Sequence, residues 1–380
     1  MRWPVVGFVG FAMWLGGLAH AEDVSVAAAI GAGAQGNATY GALELRLDQQ
    51  WHDTRLGLGV RGVWDDGVFR KSDWNGAEDI VTIIRDFAAG TKLAGLGDGG
   101  HLAIAAGRLA PSHVARIADG YRSTLDDRWR TGIRTAAVTA ETEATLEIDD
   151  VLDPALIAGV VSYQLAPPWG AHVAFAIDPT QPTMPGAVRT AGVIEAGVSR
   201  RFEGDQSRTD LGMSLVAELG LGFQAVGYVD SSIAVGEMRY SIRGDARGGS
   251  GTAGSMFGPL YRVERADLWQ RARAGELQGA SFGLTAGMAA PDGWLELGLR
   301  DRPGLGVLAT ASAGAPMGKR VQGALWASAS PHDGAGAAEL RVAWAKRLFS
   351  SIQGARIYDF SKPMPSAVWS LTVWFGAATN

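Results

Sequence analysis

The 380-residue chain has no cysteine, so a thiol nucleophile, a disulfide framework and a Cys-ligated metal are all excluded. An excess of one charge is also missing. Lys and Arg number 34 against 39 Asp and Glu, a net −5 spread along the chain, and such a protein is a poor nucleic-acid binder. Only 12 Phe serve the whole length, few for a packed sandwich core. After the first two dozen residues every apolar run is broken within about ten positions by a charge, a Pro or a Gly-rich turn, well short of the ~20 residues that a membrane helix needs. Among the 6 His no catalytic context appears, and neither Gly-x-Ser-x-Gly nor His-Glu-x-x-His occurs.

The N-terminus gives a compartment. "MRWPVVGFVGFAMWLGGLAHAED" has one positive charge at Arg2, an apolar stretch from Val5 to Leu18, and Ala19-His20-Ala21 as a small-residue cleavage site. Residues 1–21 are predicted to be a secretory signal peptide, leaving 22–380 as a single domain. An exported chain without disulfides must find its stability elsewhere.

What fills the rest is alternation. In "GALELRLDQQWHDTRLGLGVRGVW" Leu43, Leu45 and Leu47 oppose Glu44, Arg46 and Asp48, and after a three-residue connection Leu56, Leu58 and Val60 oppose Arg55 and Arg61. That is an antiparallel hairpin with a period of two. The same grammar recurs in "GEMRYSIRGDAR", where Glu237, Arg239, Arg243 and Asp245 oppose Met238, Tyr240 and Ile242, and in "WLELGLRD", where Glu296 and Arg300 oppose Leu295, Leu297 and Leu299. Twenty candidate strands can be marked. Two of them, "GVLATASAG" and "GFQAVGYVD", are weak, and about 18 strands are expected, within 16 to 20.

The candidates are long for a sandwich but suit a tilted membrane-spanning strand of ~9–11 residues. Many are rich in Ala, Gly and Val, which a lipid-facing surface tolerates better than an interdigitated core does. Aromatic residues fall near strand ends at Trp51, Trp64, Trp129, Trp169, Trp294 and Tyr358, as interfacial girdles require. The four longest gaps, roughly Asp65–Glu78, Pro111–Asp127, Pro179–Arg189 and Gly248–Gly279, all follow odd-numbered candidates, and so open on one side of an up-and-down barrel. The expected fold is an all-β, transmembrane, antiparallel up-and-down β-barrel.

The last strand, "AVWSLTVWFGAATN", places Trp369, Leu371, Val373 and Phe375 on one face. It resembles the signal that the barrel assembly machinery reads in porins, although Gly376–Asn380 follow the usual terminal aromatic. "GRLAPSHVARIADGYRSTLDDRWRTG" likewise resembles a porin-type strand–loop–strand. The resemblance to Gram-negative outer-membrane barrels of porin type implies residence in the outer membrane, contact with lipid and lipopolysaccharide, passage of small polar solutes, and neither cofactor nor metal.

On that orientation Glu44, Arg46, Asp48, Arg55, Arg61, Arg239, Arg243, Asp245, Glu296 and Arg300 line a mixed-charge lumen, together with Glu237. Arg130 and Arg134 would face Glu143 and Glu147 across one turn. The stretch Gly248–Gly279 opens on "GGSGTAGS" and continues into a helical pattern carrying Arg262, Arg265, Arg271 and Arg273; it either folds into the pore, setting these arginines against Glu237 and Asp245, or stays outside as a loop. Asp149, Asp150 and Asp153 form either a cation-binding loop or a solvated turn. A secreted soluble β protein is the alternative reading, and an outer-membrane hydrolase a more distant one.

Overall fold

The structure is a computed structural model that describes residues 23–35, 38–51, 54–65, 68–69, 84–92, 100–107, 109, 112–122, 130–179, 191–251, 257–345, 348–359 and 368–378. The signal-peptide expectation, Trp129 and most of "GLGDGG" lie outside these residues. Among the described residues one antiparallel sheet has 21 strands, one of them the two-residue piece Val68–Phe69 that only extends a hairpin, so 20 strands form the wall. Strand Asp23–Gln35 pairs with Val368–Ala378 as well as with Ala38–Trp51, which closes the sheet into a barrel. Closure gives each wall strand a neighbour on both sides among the described residues, and that is how a sheet satisfies its backbone without water.

The expectation of about 18 strands is corrected to 20. Gly222–Val235 and Gly306–Pro316, the two weak candidates, are full wall strands. Their sequences look weak because Gly and Ala dilute the alternation. Pairing along both flanks overrides that local signal: Gly222–Val235 is in register with Ser207–Glu218 on one side and Met238–Gly249 on the other.

The two faces of the wall differ as alternation requires. Leu45, Met213, Leu284, Leu297 and Phe375 are roughly half exposed or more on the outside, while Glu147, Glu195, Asp245 and Arg247 on the other parity are buried. Apolar side chains thus cover the outer surface and polar ones the inner. Outward aromatics gather at both rims. Trp169 and Phe202 flank Arg200, whose guanidinium lies 5.5 and 5.0 Å from their rings, and Arg356 stacks 4.3 Å above Tyr358. Trp294 departs from the girdle expectation, for it shares the parity of Glu296 and Arg300 and faces the interior.

Connections separate by rim. One rim carries turns of two to four residues plus the single connection 93–100; the other carries the connections 66–83, 108–131, 179–190 and 250–280. The helix Tyr261–Arg273 and a small sheet, Ser112–Val114 with Ala118–Tyr121, arise from two of these long connections.

Candidate functional site in the barrel interior

The helix is a strut across the interior. Its Arg262 binds Asp149, beyond the seventh wall strand, with Nε at 3.1 Å, and Arg265 pairs with Asp178 on the ninth. From its other side Glu264 takes two hydrogen bonds from Arg302 on the fifteenth strand, at 2.7 and 3.0 Å, and one from Ser330 beyond the seventeenth at 3.3 Å. Wall strands so far apart around a closed barrel can be bridged only through its inside. Tyr261, Leu268 and Trp269 bury themselves with Phe257 and small inward wall residues such as Ala158, Ala174 and Ala176. These alanines leave the room that the helix fills. Burial and the adjacent carboxylates of Asp149 and Asp178 hold the hydroxyls of Tyr121 and Tyr261 protonated, well above the usual phenol range, so both act as donors.

The hairpin Ser112–Tyr121 reaches deeper. Its tip turns at Ala115, with φ at 46°, a conformation that non-glycine residues seldom adopt. Arg116 anchors it: the backbone N–H donates to Glu195 at 2.8 Å, the guanidinium pairs with Asp230 and lies 4.2 Å above the Tyr228 ring, and the carbonyl accepts from Arg247 at 2.7 Å. Behind the tip, Asp119 sits 3.1 Å from His113 Nδ1, 3.8 Å from Arg243 and 3.6 Å from Arg300. Burial alone would raise the Asp119 pKa. The hydrogen bond from His113 and the fields of Arg243 and Arg300 outweigh it and hold the carboxyl well below the usual carboxylate range.

The residues picked from the sequence distribute as follows. Arg46 bonds Asp48 at 2.9 Å and, with Arg55, faces Asp86. Glu44 and Arg61 are register partners on the same inner face. Arg134 and Glu147 also pair across strands, at 2.8 Å. Arg130 lies just outside its strand and bonds Asp150 at 3.1 Å, while Glu143 is exposed near the short-turn rim. Arg243 meets Glu296 at 2.9 Å, and Arg300 grips Asp245 through two bonds of 2.7 and 2.8 Å. Arg239 stands inward near the same rim as Glu143.

Three expectations change. Glu237 occupies the turn between Val235 and Met238 at the short-turn rim, not the wall. Of the Gly248–Gly279 stretch, the helix Tyr261–Arg273 lies inside the barrel, but Arg262 and Arg265 are consumed by Asp149 and Asp178, and Asp245 by Arg247 and Arg300, so Arg262 and Arg265 do not face Glu237 and Asp245 across the lumen. Arg271 reaches the carbonyl of Gly304 at 3.0 Å and Glu276 at 3.3 Å, and Arg273 is exposed. Asp149 is no cation loop either, since it binds Arg262, Tyr121 and the N–H groups of Ala155 and Leu156.

Sequence reasoning missed the hairpin, because its turn, Ala115-Arg116-Ile117, holds none of the usual turn residues and the pair Asp119-Gly120 lies in its second strand instead. It also missed Asp178 and Asp230, each the one acidic or basic residue of its strand apart from histidine, and Asp86, Glu195 and Arg247, which share their strands with other charges. Ser112, His113 and Asp119 come together, yet Ser112 Oγ lies 3.5 Å from Arg134 Nη2, and His113 spends its Nδ1 on Asp119.

No known sequence family matches the chain, and no curated relative does. Solved structures similar to it include Pseudomonas aeruginosa OpdK with vanillate (TM-score 0.39, 11% identity), P. aeruginosa OccK2, also called OpdF (0.42, 12%), and Acinetobacter baumannii OccAB4 (0.40, 8%). Each alignment covers 94% of this chain and 97–98% of the other.

Proposed function

We propose that this protein is an outer-membrane channel of porin type through which small polar or charged solutes diffuse passively. The observation that carries the reading is the inversion of faces: a closed barrel with large apolar side chains outside and paired charges within. A water-soluble sandwich would bury those same leucines. The inserted helix and hairpin then narrow the lumen, as selective pores require. Glu44, Arg46, Asp48, Arg55, Arg61, Arg134, Glu143, Glu147, Arg239, Arg243, Asp245, Glu296 and Arg300 line the path. Residues 1–21 direct export, and 22–380 form the one barrel domain.

Leu371 and Phe375, outward on the last strand, present the apolar face that the barrel assembly machinery takes up. Lipid covers the outer band, with lipopolysaccharide at the long-loop rim. The reading assigns no catalysis and no nucleic-acid partner. Single-channel recording of the refolded protein in a planar bilayer tests it. Discrete conductance steps support the reading; a folded, inserted protein without them overturns it.

A further inference from the structure

Between the hairpin and the wall lies a cavity of about 240 Å³, the liquid volume of roughly eight waters and small for a ligand pocket, so it suits one ring and not a chain of them. One side is the indole of Trp294, 46% exposed although it faces the interior. Gly314 makes this placement possible, since a Cβ there would stand 2.8 Å from Trp294 Nε1. Gly298 is equally bare, and a Cβ on it would fall 2.4 Å from Thr310 Oγ1. The far side is Trp326, covered by Arg122 at 4.0 Å. An exposed indole costs hydration, and here it is framed by glycines that keep its surroundings open.

The charges around it argue for the occupant. Arg243 is held by Glu296 at 2.9 Å, Arg300 by Asp245 at 2.7 Å, and Arg122 lies 4.0 Å over the Trp326 ring, so an anionic solute would have to displace an existing partner to reach any of the three cations. A cationic solute would meet Arg122, Arg243 and Arg300 together. A neutral ring bearing hydroxyls needs neither exchange: its C–H face lies on the indole, and its hydroxyls donate to Glu296 and Asp119 and exchange bonds with Thr310 and Ser312. We infer that this cavity is a subsite for a neutral, polyhydroxylated six-membered ring, such as a monosaccharide. The inference rests on the channel reading and names its solute class.

The test is single-channel conductance of the full protein in a planar bilayer with glucose added to one side. Wild type is expected to show a saturable, reversible block. Trp294→Ala should still conduct while needing about tenfold more glucose for half-block, the scale of one lost aromatic stack plus its apolar area. Trp344→Phe, on the outer face, should keep the wild-type block. Glucuronate, the same ring with a carboxylate, should block more weakly; a stronger block by it overturns the neutral assignment. A conducting wild type with no saturable glucose block overturns the subsite and leaves the channel reading intact. Absent conductance defeats the channel reading instead, and then glucose titration of tryptophan fluorescence in detergent decides: a saturable change that Trp294→Ala abolishes supports the subsite, and no change ends it.

Discussion

The outer and inner faces of one strand obey different rules, and Gly293–Arg302 displays both. Its outward Leu297 and Leu299 are more than half exposed and need only be apolar, because lipid has no shape to match. Its inward Glu296, Arg300 and Arg302 each meet a particular partner, Arg243, Asp245 and Glu264 respectively. Exchange of one leucine for another apolar residue leaves the outer surface as it was. Exchange of one inner charge strands its partner in a confined space. The outside is thus specified by composition and the inside by position.

The sharpest way to break this contrast is to put a charge on the outer face. Leu297→Arg or Leu45→Arg is expected to cost ~2–4 kcal/mol for a cation near mid-membrane and to block stable insertion, whereas the neighbouring Glu296→Gln or Glu44→Gln still inserts. Heat modifiability on gels and partition into detergent after a salt wash read the outcome. Equal behaviour of the two kinds of variant would mean that the faces are exchanged.

A smaller effect is expected at the strut. Glu264→Gln keeps the shape but removes the charge that holds Arg302, a loss of about 1.5–3 kcal/mol for a hydrogen bond to a charged group. The damage should stay local, seen as faster proteolysis within 249–279 of a barrel that remains heat-modifiable. Cleavage no faster than in wild type would deny the strut its ionic anchoring. Removal of Gly249–Glu276 outright should raise single-channel conductance, because its helix Tyr261–Arg273 spans the interior; unchanged conductance in an inserted deletion would leave the narrowing to the hairpin and wall.

The same contrast explains what could be read from the residues alone. Strict alternation as in Leu43-Glu44-Leu45-Arg46 fixes strand, period and two faces at once, and long connections on one parity fix an up-and-down order. The count slipped only at "GVLATASAG" and "GFQAVGYVD", where the strand is stabilised by its neighbours' backbones and not by its own side chains. Inner pairing was legible where partners are joined by one tight turn, as with Arg134 and Glu147. It was illegible where partners meet across the lumen, as with Arg262 and Asp149 or Arg116 and Asp230, since no local period records a contact of that separation. Trp294 illustrates the limit: an aromatic near a strand end fits a girdle until its parity is weighed.

The smallest expected effect concerns pH and the docked hairpin. The ordinary value for an aspartate is 3.8, and in the folded protein His113, Arg243 and Arg300 outweigh burial and hold Asp119 well below it. A carboxyl whose folded pKa is depressed stabilises the docked state fully above the unfolded value, and that contribution fades only as pH falls from there through the folded value. The hairpin should therefore stay docked through mild acid as far as Asp119 decides it. Asp119→Asn, which removes the ionisable group, should show noisier single-channel current than wild type, by the same margin at pH 7 and pH 5. The two traces should converge only below about pH 4, where the wild-type advantage begins to drain away. Convergence already between pH 7 and pH 5 would show that a group other than Asp119 governs docking. Identical noise at every pH would show that the Asp119 contacts are not what holds the hairpin on the wall.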